Sequence, residues 1–201
     1  MKKYELLKDD TIEVAGKTLF RIKALISFKD IRKGEIGGYV EAERNLSQSD
    51  NAWVTGNAWV CDDACVCDDA CVTGNARVSG NACVSGNACV TDNARVTGNA
   101  CVTGNACVSG NACVTDNAWV CDDACVSGNA WVETSNDYIV FKNNWSSFRW
   151  FTYTKSNKMW RVGCFYGTGD ELIKEAYADS EESGRKYELY VNLVKELYRD
   201  E

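Results

Sequence analysis

Between residues 51 and 132 a single apolar pattern governs the chain. Valine recurs at every sixth position from Val54, Val60 and Val66 to Val132, and alanine stands two places before each, from Ala52 to Ala130. The residue between them varies. After each valine up to Val126 comes Thr, Ser or Cys, then Gly-Asn, Asp-Asn or Asp-Asp. A period this short, held over about fourteen units, is the signature of a solenoid. In a short strand Ala-x-Val, alternation sends Ala and Val to one face and x to the other. The pair that follows turns the chain, because Gly and Asn accept positive φ at little cost. Three sides of six residues close a triangular coil of 18, so residue n stacks on n+18. The 82 residues then make about 4.6 coils, a prism roughly 20 Å long at about 4.8 Å per rung.

Sorting the variable positions by side gives three outward columns. The first holds Trp53, Cys71, Cys89, Cys107 and Cys125. The second holds Trp59, Arg77, Arg95, Cys113 and Trp131, and the third Cys65, Cys83, Cys101 and Trp119. No carboxylate falls on any column; the acids of the repeat sit at the corners. Flat apolar columns on a soluble body suggest burial against something. The terminal segments folding back, or Cys serving simply as a good strand former, is one reading; association of copies through the Cys/Trp faces is another, and a ligand or foreign partner on them a third.

The flanks break the pattern. Residues 1–50 read as an N-terminal β cap, with a strand in T-L-F-R-I-K-A-L and a glycine turn in G-E-I-G-G-Y-V that feeds the first coil. A cap is required because an open solenoid end exposes unpaired strand edges. Residues 133–201 read as a small α+β module. It holds a strand Y-I-V-F, a hairpin S-F-R-W-F-T-Y-T/M-W-R-V-G-C-F-Y turning at K-S-N-K, and helices near 169–179 and 183–198. In the last helix Tyr187, Tyr190, Val191, Leu193, Val194 and Leu197 are expected to form one apolar stripe.

The six-residue unit resembles the hexapeptide-repeat left-handed β-helix, and the left hand of the coil is what that resemblance implies. The stretch G-G-Y-V-E-A-E-R-N-L-S-Q-S-D-N-A-W-V looks like the leading segment of the uncharacterised YdcK-like hexapeptide-repeat proteins of bacteria and their phages. W-R-V-G-C-F-Y-G-T-G-D-E-L is similar to a small module of phage and prophage proteins. Neither resemblance supplies a catalytic residue.

Charge and composition narrow the chemistry. Residues 1–50 carry 10 basic and 9 acidic groups (+1), residues 51–132 carry 2 and 8 (−6), and residues 133–201 carry 10 and 12 (−2), which sums to −7. An acidic body without a basic patch does not suit duplex nucleic acid. No leader-like or bilayer-length apolar run is present, so a cytoplasmic protein without membrane contact is expected, with its 12 cysteines as thiols. Histidine is absent, and that weighs against an enzyme. The acyltransferases of the left-handed β-helix use a histidine base, and its zinc sites use histidine ligands. Cys61, Cys65, Cys67 and Cys71 lie close in sequence. However, Cys65 and Cys67 face the same way about 7 Å apart, wide for two ligands of one zinc, and Cys61 and Cys71 lie around corners, so no metal and no cofactor is expected. In-register disulfides along a column would be strained.

Arg77 and Arg95 fall on adjacent rungs, where like charges repel unless a carboxylate such as Asp92 or a bound anion neutralises them. They form the candidate anion or nucleotide site, with Trp59 or Trp131 as a stacking face. The leading expectation is a non-catalytic binding or scaffold protein of phage or prophage type, forming homo-oligomers or binding a host protein. The alternatives are an anti-defence inhibitor or decoy for a host protein or nucleotide signal, and an atypical acyltransferase without the usual histidine.

Overall fold

A computed structural model describes residues 2–145 and 148–199. The chain is a β-solenoid of about five coils, closed at its C-terminal end by an antiparallel sheet and two helices. Strands β1 (Tyr4–Val14) and β2 (Lys17–Ala24) form a hairpin that leads into β3 (Ile36–Val40). Fourteen two-residue strands follow, one per x-Val pair, from β4 (Trp53–Val54) to β17 (Trp131–Val132). They stack in parallel as three sheets, and every pairing joins residues 18 apart. Each repeat's alanine and valine lie inside at 0–1% exposure. Each rung donates to the next coil, as in Trp53 N to Ala70 O (3.0 Å), Thr55 N to Val72 O (2.9 Å) and Asn57 N to Gly74 O (2.8 Å). Core and ladder therefore come from the same six residues.

At the corners the two residues of each pair divide the labour. Positive φ falls on the first, Gly or Asp, as at Gly74 (73°), Gly86 (67°), Asp68 (60°) and Asp92 (59°). The asparagine that follows does not share the turn, as the sequence reading had it. It ladders instead: Asn57 Nδ2 donates to Asn75 (3.4 Å), Asn75 to Asn93 (3.1 Å), Asn93 to Asn111 (3.1 Å) and Asn111 to Asn129 (3.1 Å). Stacked amides satisfy one another at no cost in buried polar groups.

Solenoid pairing begins earlier than the repeat. Tyr39–Val40 pairs in parallel with Trp59–Val60, and Leu46 bridges Val66, each pair 20 residues apart. In G-E-I-G-G-Y-V the expected turn is made at Gly34 (φ 90°), whereas Ile36–Val40 is already a rung, in which Gly37 and Gly38 serve close packing. A Cβ on Gly38 would stand 2.4 Å from Ala58 O, and one on Gly37 2.6 Å from Val54 O.

Both open ends are closed by donors and acceptors of the right sign. At the N-terminal end the free carbonyls are Ala52, Ala58 and Ala64. They accept from Lys3 Nζ (2.8 Å), Tyr39 N (2.9 Å) and Asn45 Nδ2 (2.8 Å). At the C-terminal end the free amides are Cys125, Trp131 and Trp119. They donate to hydroxyls of Thr152 (2.9 Å), Ser156 (2.7 Å) and Ser135 (3.3 Å). These contacts cover rungs at both ends of the solenoid that would otherwise be open to further pairing.

The C-terminal module contains β18 (Tyr138–Lys142), β19 (Trp150–Thr154), β20 (Met159–Val162) and β21 (Phe165–Gly167), then α1 (Gly169–Asp179) and α2 (Glu181–Leu197). The expected hairpin is β19–β20. Ser147, where it was expected to open, lies outside the described residues. Thr168 caps α1 reciprocally with Glu171, its hydroxyl accepting from Glu171 N (3.3 Å). The apolar stripe expected of the last helix divides in two. Val191 and Val194 are buried, with Tyr187 and Tyr190 packed beside them. Leu193 and Leu197 join Leu189 on the exposed side, because steps of four residues keep these three on one face of their own. Among the described residues no helix is long and apolar enough to cross a membrane.

Candidate functional site

The three columns stack as expected, but their surroundings differ. On the first face Trp53 is only 3% exposed, buried beneath the cap against Tyr4 and Phe28 (ring centroids 6.3 and 5.4 Å). It is a core residue of the cap and not an open interface position. At the other end of that face, β19 packs on β16 (Cys125–Val126). Cys71, Cys89 and Cys107 remain half-buried between these two covers. The third face carries half-buried Cys65, Cys83 and Cys101 and ends on Trp119, which is 57% exposed.

On the second face Trp59, Arg77 and Arg95 occupy successive rungs. The Arg77 guanidinium carbon lies 5.7 Å from the centroid of the Trp59 ring. Trp59 itself is half-buried against the cap cluster of Leu19, Tyr39 and Cys61. Trp131 does not join this group: Cys113 separates it from Arg95, so it stands two rungs away. Among the described residues neither arginine has an ion pair. Asp92, the carboxylate expected to pair with them, accepts instead from Thr91 Oγ1 (3.1 Å) and Gly110 N (3.0 Å). A corner aspartate at positive φ aims its oxygen up the solenoid axis at the next coil, away from the face.

All twelve cysteines are free, and most of the outward ones touch a neighbour. On the first face hydrogen bonds between side chains join Cys71 to Cys89 and Cys107 to Cys125, and on the third Cys83 is joined to Cys65, Cys101 and the neighbouring Cys67. The bond from its neighbour's S–H lowers the pKa of one thiol in each pair (Cys71, Cys107, Cys83), and the second proton is correspondingly harder to remove. Cys61 differs. Burial and its bond to Asp62 push its thiol up to about 12.

Cys61 belongs to the one group among the described residues, Glu41, Cys61 and Asp62, whose possible metal-ligand atoms lie within 4.8 Å of one another. The Lys17 ammonium already binds both carboxylates there, Glu41 at 3.0 Å and Asp62 more closely still. That contact and Gly80 N–H hold the Asp62 carboxyl down at about 2. The cluster ties cap to solenoid.

No protein-family model matches the chain, and no curated protein matches it.

The sequence reading missed one concavity. A cavity of about 330 Å³ opens in the C-terminal module over Tyr153, Trp160 and Tyr198, rimmed by Lys155, Lys158 and Lys195. Lys155 lies 4.9 Å from the Tyr198 ring, and Lys195 pairs with Asp170 (2.8 Å). The lysines of K-S-N-K were the available signal, but only the tertiary fold brings them to α2.

Proposed function

We propose that the chain is a non-catalytic binding scaffold that associates with a second copy of itself through its C-terminal end. One observation carries this reading: the exposed large apolar side chains collect at that end. Trp119, Trp131, Leu189, Leu193 and Leu197 are each 45–61% exposed, and among the described residues ahead of 119 only Ile36 is comparable. Leu189 and Leu197 lie four residues either side of Leu193. The stripe therefore reads the same in both directions, and an antiparallel copy meets its own pattern across a two-fold axis. Trp131 and Trp119 stand on the second and third faces at the same end of the solenoid, and an interface that takes in either adds to what three leucines supply, as a stable contact needs. The absence of histidine argues against the usual chemistry of such solenoids. Free thiols suit the cytoplasm, and the likeness to YdcK-like proteins suggests a phage or prophage origin.

Light scattering over micromolar concentrations tests the reading. A dimer or larger is expected from the wild type, and a monomer from Leu193→Lys. A wild type that stays monomeric throughout would sink it.

A second reading rests on Arg77 and Arg95, stacked beside Trp59 with no carboxylate partner. In that reading the protein captures an anion or nucleotide signal as an inhibitor or decoy.

A further inference from the structure

We infer that the paired thiols of the outward columns are two-coordinate sites for a soft monovalent metal ion, copper(I) above all, held linearly between sulfurs on successive rungs. The inference is independent of self-association. It starts from the spacing. Parallel in-register strands place equivalent Cα atoms about 4.8 Å apart with their side chains pointing alike. A linear sulfur–metal–sulfur unit spans twice a metal–thiolate bond of about 2.3 Å, or about 4.6 Å. The rung spacing thus presents two sulfurs at the separation such an ion needs. The same parallel arrangement disfavours a disulfide, whose bond requires the Cβ atoms to converge.

The thiols are already organised in this way. Cys71 touches Cys89 and Cys107 touches Cys125, each across one rung, while Cys83 is touched by Cys65 and Cys101 on the rungs either side and by Cys67, and anchors one ion with Cys65. Three pairs give three ions per chain. Ligand number selects the metal: zinc asks for four ligands around one point. Among the described residues no three thiol sulfurs lie all within 4.8 Å of one another, the only group that does so being Glu41, Cys61 and Asp62. Soft thiolates without oxygen or imidazole donors favour copper(I).

Charge supplies a second observation. Binding breaks two S–H bonds, forms two sulfur–metal bonds and sends two protons to solvent, with no change of oxidation state. The product, two thiolates around one monovalent ion, carries a net charge of −1. Beside Cys107 and Cys125 stands Arg161, which donates to the Cys125 sulfur while its own Nε is buried without a hydrogen-bond partner. An orphaned buried guanidinium nitrogen is costly, and an anionic dithiolate complex at that place would answer it. Lys29 favours the Cys71 thiolate through its charge alone. The Cys65–Cys83 pair has no such cation and is expected to be the weakest of the three.

The test is titration of the reduced protein with copper(I) against a chromophoric copper(I) chelator, with X-ray absorption on the loaded protein. Three ions per chain are expected, each with two sulfur neighbours. Cys83→Ser, Cys89→Ser and Cys107→Ser should each lower the count from three to two, while Cys113→Ser and Cys164→Ser leave it at three. Circular dichroism checks the fold of each variant, and Cys107→Ala replaces Cys107→Ser if the latter unfolds. Failure to take copper(I) from the chelator would overturn the inference. So would three or four sulfurs per ion, or a count unmoved by the three paired-cysteine changes.

Discussion

Replacing Gly86 with alanine tests the corner geometry at a position where no ligand or partner intrudes. Gly86 has φ +67°, and a Cβ there would stand 2.9 Å from both the N and the O of Gly104 in the next coil. The left-handed region costs a residue with a Cβ about 1–2 kcal/mol, and two sub-3 Å contacts with backbone cannot relax by moving a side-chain tip. A loss of about 2 kcal/mol follows, or roughly 4–8 °C in Tm for a chain of this size. Gly86→Asn meets the same backbone but should fare better. Aspartates already occupy equivalent corners, and Asp68 Oδ2 accepts from Gly86 N (3.0 Å) one coil below. An asparagine oxygen at 86 can accept from Gly104 N in the same way and recover about 1 kcal/mol. Urea and thermal unfolding of the three proteins give the comparison. If alanine costs nothing, or asparagine costs as much as alanine, the account of the corner is wrong.

Val96→Asp should unfold the middle coils, since Val96 is fully buried and an unpaired charge there costs several kcal/mol. Cys89→Ser, on the outward face, should change stability by no more than about 1 kcal/mol; denaturant unfolding reads both, and reversed effects would invert the inside and outside assignment. Lys17 holds the folded Asp62 carboxyl at about 2, below its ordinary value near 4, so the stability it contributes is present at neutral pH. That contribution should vanish as pH falls from about 4 through 2, and thermal melts should show Lys17→Met losing this part of the acid sensitivity. If Arg77 and Arg95 hold an anion, nucleotides or simple anions should raise the wild-type Tm and leave the Arg77→Ala/Arg95→Ala variant unmoved; no shift in the wild type removes the decoy reading.

The body of this fold is written in the chain because each six-residue unit carries its own core, turn and ladder. Ala and Val fill the interior, Gly or Asp takes positive φ, and the partner of any rung is found by adding 18. Those three facts place Arg95 on Arg77 and Cys89 on Cys71 without a structure. The first coil is hidden for the same reason. Leu46 and Val54 stand eight residues apart where the repeat has six, so Val40 and Leu46 drop out of the period although both are core. The closing hydroxyls of Thr152, Ser156 and Ser135 are single polar residues in irregular sequence, and nothing periodic marks them. Column membership also says nothing of what lies over a column. Trp53 and Trp119 occupy equivalent outward positions, yet the hairpin buries one and leaves the other open. Leu193 and Leu197 were expected in one stripe with Val191 and Val194 because an apolar helix seen in isolation gives no sign of which face the sheet will take.

Hydrogen–deuterium exchange of the wild type, compared between a dilute and a concentrated sample, tests the central claim most directly. The account predicts added protection on concentration at Trp119, at Trp131 and along Leu189–Leu197, with the N-terminal hairpin Tyr4–Ala24 unchanged. Exchange that ignores concentration, or protection confined to the N-terminal hairpin, would contradict it.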